Sequence, residues 1–306
     1  MTGAEILKEL KGIIAPVPTP FEEDEEVALD RLAENLERWN QTRLTGYAVL
    51  GSTGEYVYLT HEEKKAVLAR AREAIPPGRI LLAGTGCEST RETIALTRWA
   101  AEIGADFAMV VTPHYYKKAM KPEALRAHYL EVAERSPLPL VLYNVPAFTA
   151  VNLTPELVLD LSSHPNIAGL KDSAGDILQL QEICRLVPPD FSVLTGGGSV
   201  LLAALTVGAR GGILAVANVA YDLCVELVAA FEAGDLARAL RLQNLLVPIN
   251  RTVTTDYGIA GLKSLLDRIG FYGGPPRRPL RRPSAETQQK IAGVYAECSR
   301  PELSRS

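Results

Sequence analysis

Three groups of side chains at the ends of apolar runs could do chemistry together in this 306-residue chain: a lysine, a tyrosine and a serine–threonine pair. Lys171 closes the run Ile167-Ala168-Gly169-Leu170. It is the one lysine of ten in such a setting; the others lie in polar or helical surroundings, as Lys64 and Lys65 do. Desolvation disfavours an ammonium, so an amine held at such a place is nucleophilic near neutral pH and can form a Schiff base with a ketone or aldehyde. The plainer alternative is an ion pair with Asp172 or another nearby carboxylate. Tyr143 ends the preceding apolar run, and its phenol could carry a proton to and from a carbinolamine hydroxyl, or simply bond to backbone. Ser52-Thr53 lies between Gly51 and Gly54. Its hydroxyls and turn N–H groups suit a small carboxylate.

These residues need elements to bring them together. Eight short apolar runs recur: Ile13–Val17, Gly46–Leu50, Ile80–Gly84, Phe107–Val111, Leu138–Tyr143, Ile167–Lys171, Phe191–Thr195 and Gly212–Val216. They do not alternate, as expected of parallel strands covered on both faces. Helical segments lie between them. Asp30–Gln41 carries Leu32, Leu36 and Trp39 on one face. Thr60–Ile75 opens on a Thr60/Glu63 capping box. Thr154-Pro155 reads as an N-cap before a proline at the first helical position. Eight strand–helix units predict an α/β fold, a (β/α)8 TIM barrel over residues 1–233, with a helical extension over 234–306 that serves packing or assembly.

In such a barrel, functional groups sit at the C-terminal ends of the strands. Besides Lys171, Tyr143, Ser52 and Thr53, those ends carry Thr112-Pro113-His114-Tyr115-Tyr116, Ser173 and Gly196-Gly197-Gly198. Ser173 and Gly196 are candidate substrate contacts beside Lys171. The glycines after strand 7 either leave room for substrate or bind a phosphate at a helix start.

Other classes of function are disfavoured. The formal net charge is -4, and no basic face is expected for nucleic acid. The run Arg277-Arg278-Pro279-Leu280-Arg281-Arg282 reads as a solvated connection. No stretch reaches the ~20 apolar residues of a membrane span, and Met1–Lys11 has no signal-peptide pattern. Cys87, Cys184, Cys224 and Cys298 are scattered, as reduced thiols of a cytoplasmic protein would be. His61-Glu62-Glu63-Lys64-Lys65 begins like a zinc motif but lacks the second histidine. With no metal set and no nucleotide motif, no cofactor is expected, and an amine must supply the electron sink.

Together, Gly51-Ser52-Thr53-Gly54-Glu55, Tyr143-Asn144-Val145-Pro146 and Gly169-Leu170-Lys171-Asp172-Ser173 resemble the motifs of the dihydrodipicolinate synthase and N-acetylneuraminate lyase superfamily, the pyruvate-dependent class I aldolases. The resemblance covers nearly the whole chain. Within it, the stretches Leu82–Thr90, His164–Ile167, Leu170–Asp176 and Gly270–Pro275 look closest to 4-hydroxy-2-oxoglutarate aldolase. The resemblance implies that Lys171 is the Schiff-base lysine and Tyr143 the proton shuttle. It implies that Ser52 and Thr53 join the relay and bind the pyruvate carboxylate, and that Ile213 lies against the pyruvyl group. It also implies a homo-oligomer, a tetramer or dimer, with Tyr115 or its neighbour Tyr116 lent to a second subunit's site. Dihydrodipicolinate synthases usually carry an arginine where this chain has Phe148, and a phenyl ring cannot pair with a carboxylate. The expectation is a lyase cleaving a 4-hydroxy-2-oxo acid such as 4-hydroxy-2-oxoglutarate into pyruvate and an aldehyde. The alternatives are dihydrodipicolinate synthase, a sugar-acid dehydratase or aldolase, a phosphate-binding isomerase and a non-catalytic 2-oxo-acid-binding barrel.

Overall fold

The computed structural model describes residues 9–299, so residues 1–8 of the expected polar Met1–Lys11 segment, and the last residues of the extension, lie outside the described residues. Each apolar run forms a parallel strand: β1 Gly12–Pro16, β2 Gly46–Val49, β3 Ile80–Gly84, β4 Phe107–Val111, β5 Leu140–Asn144, β6 Ile167–Asp172, β7 Ser192–Thr195 and β8 Gly211–Ile213. The strands pair in sequence order, and β1 pairs with β8 to close the barrel. The absence of alternation now has its cause. Ile14, Leu82, Met109, Val141 and Leu194 fill the barrel interior, while Val49, Leu81, Val110, Leu142 and Val193 pack outward under the helices.

The helices of the barrel are α1 Leu29–Trp39, α2 His61–Ala74, α3 Thr90–Glu102, α4 Pro122–Arg135, α5 Pro146–Thr149, α6 Pro155–Ser162, α7 Ile177–Leu186, α8 Leu201–Thr206 and α9 Tyr221–Glu232. In α1, Leu32, Leu36 and Trp39 are fully buried. The α2 capping box forms: the Glu63 N–H donates to Thr60 Oγ1 at 3.2 Å and the Thr60 N–H to Glu63 Oε2 at 2.8 Å. The Leu157 N–H donates to Thr154 Oγ1, as expected for the α6 cap.

Strand ends differ from the sequence expectation in places. β5 starts at Leu140 and β7 at Ser192, and β8 stops at Ile213. After Ile213 the apolar run continues as a buried 3-10 turn, Ala215–Asn218. Apolar character alone does not separate a strand from a buried turn. Asn218 makes the difference: its Nδ2 donates to the Pro16 and Ala215 carbonyls, both at 2.9 Å, and holds the turn across the barrel mouth.

The extension adds α10 Leu236–Arg251, α11 Gly258–Arg268 and α12 Ala285–Cys298. Pro248 interrupts the hydrogen-bond ladder of α10, and a π-helical turn, Thr252–Asp256, follows it. Thr252 Oγ1 donates to the Pro248 carbonyl at 2.8 Å and Thr254 Oγ1 to the Asn250 carbonyl at 2.6 Å. Among the described residues no helix is long and apolar enough to cross a membrane.

On α4, His128 is buried with its Nδ1 2.9 Å from Thr90 Oγ1 and its Nε2 unpartnered. Burial pulls its pKa down to about 4, with Glu88 opposing. A native pKa below the unfolded value means that the unfolded chain binds the extra proton first, so this group destabilises the fold as pH falls below about 6.5. The expected loss between pH 7.5 and 5.0 is about 2 kcal/mol. His128→Leu should shrink the shift in urea midpoint between those two pH values. An unchanged shift would show that His128 does not carry it.

Candidate active site

Tyr143 and Lys171 are direct partners in the β5–β6 ladder. Parallel in-register strands point such partners to the same side, and both side chains enter the barrel mouth, each only 4% exposed. Lys171 Nζ sits 4.1 Å from the centre of the Tyr143 ring, over its face. Such a position favours a cation electrostatically while still leaving the amine open to the cavity. Asp172, next along the strand, is buried and engages Asn144 instead: Asn144 Nδ2 donates to Asp172 Oδ1 at 2.7 Å. Burial pushes the Asp172 carboxyl above its usual range, with the Asn144 hydrogen bond opposing. The same Asn144 accepts the Leu153 N–H at 3.0 Å, which ties the two strand ends behind the lysine to the next connection.

Ser52 and Thr53 sit on a 3-10 turn, Ser52–Gly54, beyond the end of β2. Two non-glycine residues with left-handed backbone bracket it, Leu50 at φ +64° and Glu55 at φ +53°. Such residues cost on the order of 1 kcal/mol each and persist only where the surroundings hold them. Leu50 is held by Gly84 on β3, where an added Cβ would stand 2.2 Å from the Leu50 carbonyl oxygen. The turn delivers Ser52 Oγ to 3.2 Å from the Tyr143 hydroxyl. Thr19 Oγ1 donates to the Gly54 carbonyl at 2.7 Å and fixes the turn from β1's side.

Ser52, Thr53, Tyr143, Lys171 and Ile213 line one open cavity of about 470 Å³, together with Ser173 and Gly196. Gly196 is required there because an added Cβ would fall 1.8 Å from Ser173 Oγ. Tyr115 is the exception. It is 75% exposed, stacks edge-on against Tyr116 with 5.1 Å between ring centres, and does not line the cavity of its own chain.

Several features escaped the sequence reading. Tyr56 packs beside Tyr143 in the barrel mouth, and burial pushes its phenol above the ordinary range. The extension does more than pack, because Val253, Thr254, Gly258 and Leu262 form the outer cavity wall. Lys171 is not the single sheltered lysine either. Lys263 on α11 is fully buried and pairs with Glu55 at 2.5 Å. Its signal was present: Ile259, Lys263 and Leu266 share an apolar helical stripe. The basic run is not merely solvated, since Arg277 is largely buried against Glu63. The phosphate reading of Gly196–Gly198 also fails on geometry. The Leu202 N–H donates to Gln243 Oε1, the Gly197 N–H donates to Thr195 Oγ1, and Asn250 Oδ1 fills the space beside Gly198.

A sheltered lysine at the end of β6, stacked on a β5 tyrosine that bonds a β2 serine, is the arrangement to compare with known proteins. The profile of the Dihydrodipicolinate synthetase family matches residues 9–297. The chain belongs to that family. It is therefore an enzyme of the carbon–carbon lyase type. It is 39% identical over 284 residues to 4-hydroxy-tetrahydrodipicolinate synthase of Methanoculleus marisnigri, covering 91% of this chain and 96% of that one. Its similarity to the synthase of that name from Archaeoglobus fulgidus is 36% over 286 residues, 93% and 96% of the two chains. Among solved structures, dihydrodipicolinate synthase of Bacillus anthracis superposes with a TM-score of 0.91 at 31% identity, covering 96% of this chain and 99% of that one. YagE, a family protein from E. coli K12 solved in complex with pyruvate, superposes with a TM-score of 0.89 at 30% identity, covering 94% and 98%.

Proposed function

We propose that this chain makes or breaks a carbon–carbon bond through an enamine of pyruvate carried on Lys171. The observation that supports this most is the Lys171–Tyr143–Ser52 chain at the closed end of the cavity. In this reading the Lys171 amine attacks the 2-oxo carbon. Tyr143, relayed by Ser52, moves the protons that turn the carbinolamine into an iminium and water. Thr53 and the turn N–H groups hold the carboxylate. Ile213 packs on the pyruvyl methyl, and Ser173 beside Gly196 bounds the space next to Lys171. The iminium draws electrons, a C3 proton leaves and the enamine forms. Its C3 then adds to an aldehyde carbon, and water releases the product from Lys171. Cleavage is the same sequence reversed. Tyr115 would join this relay only from a second copy of the chain, which makes a homo-oligomer part of the proposal.

For the second substrate, the relatives' names weigh toward 4-hydroxy-tetrahydrodipicolinate synthase and away from the 4-hydroxy-2-oxoglutarate aldolase suggested by the sequence motifs. The step on pyruvate is the same in either case. Incubation with pyruvate and borohydride should leave a reduced adduct on the peptide carrying Lys171, read by mass spectrometry. No adduct, or one confined to another lysine, would overturn the reading.

A further inference from the structure

We infer that Asp172 is a positioning residue for the pyruvate step: clamped to Asn144, it fixes the end of β6 so that the Lys171 amine meets its substrate in one place. The inference rests on the pyruvate–Lys171 reading and adds to it the group that aims the amine. Asn144 and Asp172 are direct ladder partners one residue beyond Tyr143 and Lys171. Successive strand residues point to opposite faces, so behind the inward pair Tyr143–Lys171 stands an outward pair, Asn144–Asp172. The outward positions before it, Leu142 and Leu170, are apolar and belong to the core beneath the helices. An amide and a carboxylate in the next position lose their hydration, since Asn144 is 0% and Asp172 3% exposed. Burial and the Asp172 charge together push the Cys184 thiol of α7 up to about 11, which places the carboxylate on the helix side of the strand. Among the described residues amides, not a cation, meet that carboxylate. Charge pairing is therefore not its role.

What the pair does is hold backbone. Asn144 Nδ2 donates to Asp172 Oδ1 at 2.7 Å and to Asn152 Oδ1 at 2.9 Å, and Asn144 Oδ1 accepts the Leu153 N–H at 3.0 Å. Both amide protons are thus committed. The main chain is tied at the same place. The Ser173 N–H donates to the Asn144 carbonyl at 2.8 Å and the Gly196 N–H to the Asp172 carbonyl at 2.6 Å, so the ends of β5, β6 and β7 meet in one joint. Asn152 Nδ2 donates onward to Gln179 Oε1 at 2.7 Å, and the Gln179 N–H caps α7 on Asp176 Oδ1 at 3.1 Å. The connection from β6 to α7 is therefore fixed at both ends, and it carries Ser173 at the cavity wall. Lys171 and Ser173 flank the clamped residue in sequence, and both line the cavity. The amine sits at the end of a four-carbon stem, so its place depends on a strand end that does not shift. A misplacement of about 1 Å costs on the order of 10²-fold in rate.

The test uses pyruvate alone. Reversible enamine formation exchanges the methyl protons of pyruvate in D2O, and NMR gives kcat and KM for that exchange without a second substrate. Asp172→Leu removes the acceptor and should lower the exchange kcat about 10²-fold. KM for pyruvate should move by about threefold or less, because the turn that holds the carboxylate lies beyond β2. Asp172→Asn keeps an oxygen for Asn144 Nδ2 and should restore kcat to within about threefold of the unaltered protein. Asn152→Ala, at an exposed position, takes away the other acceptor of Asn144 Nδ2 and should cost about fivefold in kcat. A full exchange rate in Asp172→Leu would overturn the inference. So would an equal loss in Asp172→Asn, because the charge and not the hydrogen bond would then matter. If Asp172→Leu does not fold, Asn152→Ala decides, and an unchanged kcat there overturns the inference. Borohydride trapping separates the two levels. An adduct on Lys171 with exchange indifferent to position 172 sinks this inference alone, and no adduct and no exchange in the unaltered protein sink the reading beneath it as well.

Discussion

Lys171→Met is expected to abolish turnover and pyruvate trapping while leaving the fold intact or slightly more stable. On the proposed mechanism the Lys171 amine is the electron sink, and without it that mechanism has no covalent route. Methionine fills a similar volume, and an apolar side chain spares the desolvation of a buried polar group. Lys171→Arg should be equally inactive, because a guanidinium does not lose its proton to become a nucleophile. Tyr143→Phe tests the relay separately. The ring that underlies Lys171 Nζ is kept and only the hydroxyl 3.2 Å from Ser52 Oγ is lost. Its kcat should fall about 10²–10⁴-fold, the range of a positioned acid–base group. Slow borohydride trapping should persist, because attack by the amine does not need the phenol. Thermal midpoints of both variants check that the losses are chemical. Substantial pyruvate turnover by Lys171→Met would end the Schiff-base account.

The reason so much of this was legible lies in the barrel itself. Strands buried on both faces read as unbroken apolar runs, so a lysine closing one of them is conspicuous. Sequential parallel strands are neighbours, so the ends of β5 and β6 had to bring Tyr143 and Lys171 together, and the ladder pairs those two residues. What was hidden came from contacts between distant segments. The Arg277 N–H donates to Glu55 Oε2 at 2.9 Å across 222 positions. No local periodicity encodes that approach. The Thr-Val-Thr-Thr stretch after Pro248 breaks helical propensity visibly, but its place against the barrel mouth depends on the packing of α10 and α11. Tyr115 shows the complementary limit: its motif is clear, yet its side chain leaves the chain's own cavity.

Lys263→Met is expected to cost about 3–5 kcal/mol of stability, the usual penalty for orphaning a buried charge. Its partner Glu55 is as deeply buried as the ammonium, the two side chains being 1% and 0% exposed. Burial pulls the Lys263 pKa down to about 8 against the opposing pull of Glu55. The pair thus pays much of its own attraction back in lost hydration, and its main consequence is geometric. Lys263 Nζ donates to the Pro275 carbonyl at 3.0 Å and lies 4.4 Å from the Phe21 ring centre, while Glu55 ends the turn that carries Ser52 and Thr53. One ion pair therefore joins the Ser52–Thr53 end of the cavity to α11, which carries part of its outer wall. Glu55→Gln combined with Lys263→Met should recover part of the lost stability in urea unfolding, since no buried charge is left unpaired. It should not recover activity to the same extent. Without the pair, the strained left-handed backbone at Glu55 is free to relax, and a shift of about 1 Å at Ser52 is enough to cost on the order of 10²-fold in kcat. Full activity in a restabilised double variant would show that the pair serves the fold alone. Low kcat in a stable double variant would show that it positions the Ser52 turn.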